Sequence, residues 1–156
     1  MSLDTYMRQA LRHSADAVRK GDGVRPTFIV ASAEGTYTLA LGGDGALQPD
    51  DLAMQILSAV LRWSMARAFI VTCEHRDPSR LAAYIVSGRG VRGLSIAVRK
   101  NPLNLGVPKL ATPPGFIKDL RALIPPRVSE LSQAEVANLE EVLGVELEEC
   151  QSLYVN

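Results

Sequence analysis

The stretch Ala68–Asp77, AFIVTCEHRD, constrains this chain more than any other. Ala68–Val71 and Cys73 form an apolar run broken only by Thr72. A short run of this kind, rich in β-branched and aromatic residues, reads as a buried strand. It passes without a break into Glu74, His75, Arg76 and Asp77. A core element therefore hands the chain to a thiol, a carboxylate, an imidazole, a guanidinium and a second carboxylate.

The elements around this strand follow from pattern. Over residues 3–20, Leu3, Tyr6, Met7, Ala10, Leu11 and Val18 make one apolar stripe, as an amphipathic helix requires. Gly21-Asp22-Gly23 ends it, and His13 lies off the stripe, facing solvent. Thr27–Ala33 and Thr36–Leu41 are β-rich runs around Glu34-Gly35, the signature of a tight hairpin. Gly42-Gly43-Asp44-Gly45 reads as a turn, because the Lys-Ser/Thr pair of a phosphate loop is absent. Pro49-Asp50-Asp51 suits a helix start. Leu52–Met65 is apolar on nearly all sides, which predicts a helix buried in the middle of the fold.

After the opening strand, Asp77-Pro78-Ser79-Arg80 reads as a capped helix start. Leu81, Tyr84, Ile85 and Gly88 keep helical spacing, and Leu94, Ile96 and Val98 alternate as a strand. The preferred expectation is strand–helix–strand, a parallel pair with a right-handed crossover. The rival is a hairpin, with 81–87 pairing with 91–99 across Gly88–Gly90. Gly88-Arg89-Gly90-Val91-Arg92-Gly93 matches G-x-G-x-x-G, but no helix opens there and no acid follows before Asp119, so a dinucleotide site is excluded.

Residues 101–115 carry Pro102, Pro108, Pro113 and Pro114 with Asn and Gly, and read as a loop or arm. Phe116–Leu123 is a short helix before Pro125-Pro126, and Ser132–Glu135 is a capping box opening another. The later segment Glu146–Glu149 is acidic, which excludes a DNA-reading helix. The expected architecture is an α/β three-layer sandwich. Its mixed sheet has about four to five strands, a β-hairpin plus the crossover, flanked by helices. Residues 1–100 form the core domain, 101–115 a Pro-rich arm, and 116–156 a helical extension on the same domain.

Totals narrow the function classes. Net charge is zero and a single Trp is present, so neither nucleic acid nor an anionic membrane surface is an expected partner. No apolar run reaches membrane-spanning length and no signal peptide opens the chain, which makes the cytoplasm the expected compartment. Cys73 and Cys150 alone make neither a disulfide framework nor a zinc knuckle. The balance of charge conceals a segregation. Nine basic residues fall between Arg62 and Lys109 against Glu74 and Asp77, whereas Glu130–Glu149 holds seven glutamates and no base. These are either two solvated faces or an acidic tail packing on a basic centre, within one chain or between two copies.

The order of helix, hairpin, helix, strand, helix, strand resembles the cytidine deaminase fold over residues 5–100. MRQALRHSADAVRKG followed by a hairpin is similar to that family's opening, and FIVTCEHRDPSRLAAYIVSGRGVRGLSIAVRKNP to its second zinc-binding strand–helix–strand. The zinc motifs themselves are absent. Gln48-Pro49-Asp50-Asp51 stands at the first position, and the second offers Cys73 and His75 without Cys-x-x-Cys. The resemblance therefore implies a relative without a metal, and neither metal nor cofactor is expected.

Residues two apart share a strand face, so Cys73, His75 and Asp77 lie together, with Glu74 and Arg76 opposite. Three readings stand. In the first, Cys73 continues the core, His75 closes the strand and Asp77 caps a helix. In the second, Arg76, Ser79 and Arg80, with Glu74 beside them, bind a small anionic or nucleotide-like ligand where a strand end meets a helix start. In the third, Cys73, His75 and Asp77 act catalytically, in a hydrolase- or deaminase-like enzyme aided by Glu34, Asp50 or Asp51. The expected function is a non-catalytic binding or interaction domain, with its own copies as an expected partner through the segregated charges and the enzyme as the alternative.

Overall fold

Among the described residues there are seven strands: β1 (Thr27–Ser32), β2 (Gly35–Ala40), β3 (Ala68–His75), β4 (Arg80–Ser87), β5 (Gly90–Arg99), β6 (Asn104–Leu105) and β7 (Lys109–Ala111). They pair antiparallel throughout, in the order β2-β1-β3-β4-β5-β6, with β7 also on β5. The helices are α1 (Leu3–Arg19), α2 (Asp51–Ser64) and α3 (Gly115–Asp119), the last continued by a 3-10 turn at Leu120–Leu123. This computed structural model describes residues 2–24, 26–32, 35–40, 51–76 and 78–124, with helical backbone at Ala134, Ala137 and Glu141. The glycine turn at 42–45, the capping-box residues Ser132, Gln133 and Glu135, and most of the acidic segment lie outside the described residues. No described helix is long and apolar enough to cross a membrane.

The mixture of helix and strand agrees with an α/β fold, but the expected crossover is overturned. Residues 80–87 form β4 instead of a helix, and the rival hairpin is the arrangement present: Ser87 faces Gly90 across Gly88-Arg89. The physical reason lies in Leu81–Val86, all six of which are buried. A strand covered on both faces has no polar alternation, so its apolar spacing satisfies a helical template by coincidence. Without a crossover there is no parallel pair, and the sheet is antiparallel instead of mixed. The strand count exceeds four to five because the Pro-rich stretch, read as a loop or arm, contributes β6 and β7.

The first of the expected elements behaves as its pattern implies. Ser2 Oγ accepts the Thr5 N–H at the start of α1. Gly21 turns left-handed at φ 82°, which lets the Asp22 N–H reach back to the Ala17 carbonyl at 2.9 Å. The second helix corrects its expectation. Only Ala53, Ile56, Leu57, Val60 and Leu61 of α2 are buried, and Leu52 and Met65 at its ends are each 57% exposed. α2 is a surface helix with one inward stripe, not a helix buried all round.

Alternation along the strands divides the core into two clusters. Phe28, Val30, Phe69, Val71, Cys73, Tyr84 and Val86 pack with Leu57, Val60 and Leu61 of α2 and with Ile117 and Leu120. The intervening residues Ile70, Leu81, Ala83, Ile85, Leu94, Ile96 and Val98 pack with Met7, Ala10, Leu11 and Ala15 of α1. One glycine of the former G-x-G-x-x-G match has a clear packing role. Gly93 faces Tyr84 across the β4–β5 ladder, and a Cβ there would run into the Tyr84 ring and lie 2.6 Å from the Ala83 carbonyl oxygen.

Candidate functional site

β3 carries Cys73 and His75 on the face that also holds Phe69 and Val71. The antiparallel register then sets Arg80 opposite His75 and Ala82 opposite Cys73, and Tyr84 follows two residues further along β4 on the same face. His75 Nε2 lies 2.8 Å from Tyr84 Oη and 3.6 Å from Cys73 Sγ. The imidazole meets the Tyr84 and Phe116 rings edge-on, at 5.9 and 6.1 Å between centroids. The Arg80 guanidinium lies close enough to act electrostatically on Cys73, His75 and Tyr84. Which of His75 Nε2 and Tyr84 Oη donates follows from the imidazole tautomer.

Burial and charge set the protonation states of these groups. Burial, reinforced by the positive charge of Arg80, lowers the His75 pKa below the usual imidazole value. Burial pushes the Cys73 thiol up to about 12, with Arg80 acting weakly in the other direction. Tyr84 also rises to about 12, chiefly by burial. With 1% of its surface exposed, Cys73 is a protonated core thiol, although an imidazole stands beside it. A nucleophilic cysteine needs a depressed pKa and access, and the site supplies neither.

Beyond Arg80, the sheet face opens. Pro78, Ser79, Arg80, Ser95, Ala97, Arg99, Asn104, Gly106, Val107 and Lys109 line a cleft of about 340 Å³. The register explains the convergence. Arg80 faces Ala97, Arg99 faces Asn104 and Ser95 faces Lys109, so cations from β4, β5 and β7 share one face. No carboxylate is among the lining residues described. Arg99 and Lys109 are exposed and Arg80 is half-buried, leaving the cleft open to water.

Of the residues expected at the site, Cys73, His75 and Arg80 come together, and Ser79 joins Arg80 at the cleft wall. Arg76 is exposed in the turn after β3 and is not part of that wall. Glu74 projects from the other side of β3, towards a pocket shared with Val18, Gly21 and Lys100. Asp77 lies outside the described residues, as do Glu34 and Asp50. Sequence reasoning missed Tyr84, Ser95, Arg99 and Lys109. Ser95, Ala97 and Arg99 alternate with Leu94, Ile96 and Val98, and that alternation was the signal for a shared polar face. Among the described residues, no three His, Cys, Asp or Glu side chains gather as a metal site. No protein-family model, curated protein or solved structure matches the chain.

Proposed function

We propose that this chain is a non-catalytic binding domain whose β4–β5–β7 cleft takes a small anion of the phosphate or carboxylate class. One observation carries the reading: Arg80, Arg99 and Lys109 line a single cleft that has no described carboxylate in its wall. Ser79 and Ser95 supply hydroxyl donors beside them. The buried, protonated Cys73 weighs against the competing enzyme reading at Cys73, His75 and Asp77.

Three cations in an open cleft, each contributing about 1 kcal/mol, give a dissociation constant of about 6 mM for a simple anion. Calorimetric titration with inorganic pyrophosphate tests this directly. Lys109→Ala and Arg99→Ala should each weaken binding about fivefold, and Arg99→Glu should abolish it. Binding should also weaken steeply as salt shortens the Debye length from about 10 Å at 0.1 M to about 3 Å at 1 M. Equal affinity in wild type and Arg99→Glu would remove the cleft from consideration.

A further inference from the structure

The other face of the sheet holds a second cleft of different chemistry, independent of the basic one. α1 lies over β3, β4 and β5, where Ile70, Leu81, Ile85, Leu94 and Ile96 meet its apolar stripe. The sheet extends beyond the helix through β1 and β2, and there the same face changes composition. Thr27 of β1 and Thr36 and Thr38 of β2 take the place of the large aliphatics around Ile29, beside Thr72 of β3. Between these strands and the flank of α1 lies a cleft of about 320 Å³, whose helix side is built from Tyr6, Gln9, Ala10, His13, Ser14 and Ala17. That volume is at the small end of ligand pockets, which run from roughly 300 to 1,000 Å³.

The polar atoms in this cleft are not all accounted for by the fold. At one end Thr36 Oγ1 donates to Tyr6 Oη at 3.2 Å. Thr38 Oγ1, two residues along β2, is buried and finds no hydrogen-bond partner among the described residues. A buried hydroxyl without a partner is costly, and valine has nearly the same shape and suits a strand equally well. Packing alone therefore does not explain Thr38. The wall contains no Asp, Glu, Lys or Arg among its described residues, so the cleft does not select for charge. Its surface is largely apolar.

We propose that this cleft binds a small uncharged molecule with an apolar body and one hydrogen-bonding group, which pairs with Thr38 Oγ1. The full chain, labelled with ¹⁵N, would be titrated with 4-methylphenol and with toluene, which has the same body without the hydroxyl. The expected result is saturable shifts of the Thr38, Thr72 and Ala10 amides, with 4-methylphenol bound about tenfold more tightly than toluene. Thr38→Val should remove that preference while leaving toluene binding unchanged. Ala17→Leu, which narrows the cleft from the helix side and leaves Thr38 in place, should weaken both probes. The proposal is overturned if wild type gives no saturable shift with 4-methylphenol, if the shifts fall away from this cleft, or if either variant binds both probes as wild type does.

Discussion

The two faces of the sheet are written on alternate residues of the same strands, yet they handle polar groups in opposite ways. On the face covered by α2 and α3, the polar atoms of β3 and β4 close on one another: Tyr84, His75 and Cys73 form a connected set inside an aromatic cluster, with the Arg80 charge beside it. On the α1 face, aliphatic residues fill the region under the helix, and beyond it Thr38 Oγ1 finds no partner among the described residues. A closed network fixes side chains and leaves chemistry only at its edge, here the guanidinium of Arg80. An unclosed group is the attachment point we propose.

The comparison breaks most severely at Tyr84, which is fully buried and belongs to both the network and the cluster. Tyr84→Ala should cost about 4 kcal/mol in chemical denaturation, in the range for a large aromatic removed from a core. Its cross-strand neighbour gives a related test. Gly93→Ala forces a methyl into the space of the Tyr84 ring and should cost about 2–3 kcal/mol. The two changes share one cavity, so the double variant should lose less than the sum. Full additivity would mean that the ring does not rest on Gly93.

How much of this was legible in the sequence depends on which face a residue occupied. α1 was readable because polar residues separate its apolar stripe, and β1 and β2 because Glu34-Gly35 punctuates them. β4 was not, because LAAYIV is buried on both sides and carries no periodicity that distinguishes strand from helix. That one misreading hid the site as well. With 80–87 taken as a helix, Tyr84 could not be placed against His75, nor Arg80 against Ala97. Lys109 reaches the cleft only because β7 pairs with β5, and a three-residue strand among prolines leaves almost no sequence signal. The opening stretch kept its place as the central strand β3, and its polar tail divides between the two faces.

A smaller effect, confined to acid, sharpens the closed side of the comparison. The folded-state pKa of His75 lies below its unfolded value of about 6.5, so unfolded chains take up the proton first. The contribution is complete above about pH 6.5 and is lost as pH falls through the lower folded-state pKa. Protonation would set a second positive charge beside Arg80. Denaturation midpoints measured from pH 8 to pH 5 should fall more steeply in wild type than in His75→Phe. Parallel curves would show that the imidazole is not held in the network.

The smallest expected effect lies at the edge of the α1 face. Arg92 donates two hydrogen bonds to Asp4, at 2.6 and 3.0 Å, tying the start of α1 to β5. Both side chains are well exposed, so Arg92→Ala should cost only about 0.5 kcal/mol, and less at high salt. A loss above about 2 kcal/mol would mean that α1 depends on this pair more than on its buried stripe.

The most direct test of the central claim is a ¹H–¹⁵N amide map of the full chain during titration with inorganic pyrophosphate at low salt. Saturable shifts are expected at Ser79, Arg80, Ser95, Asn104, Gly106 and Lys109, with the Thr38 and Thr72 amides of the opposite face unmoved. Shifts concentrated on the α1 face, or spread evenly over exposed basic residues such as Arg76 and Arg89, would contradict it.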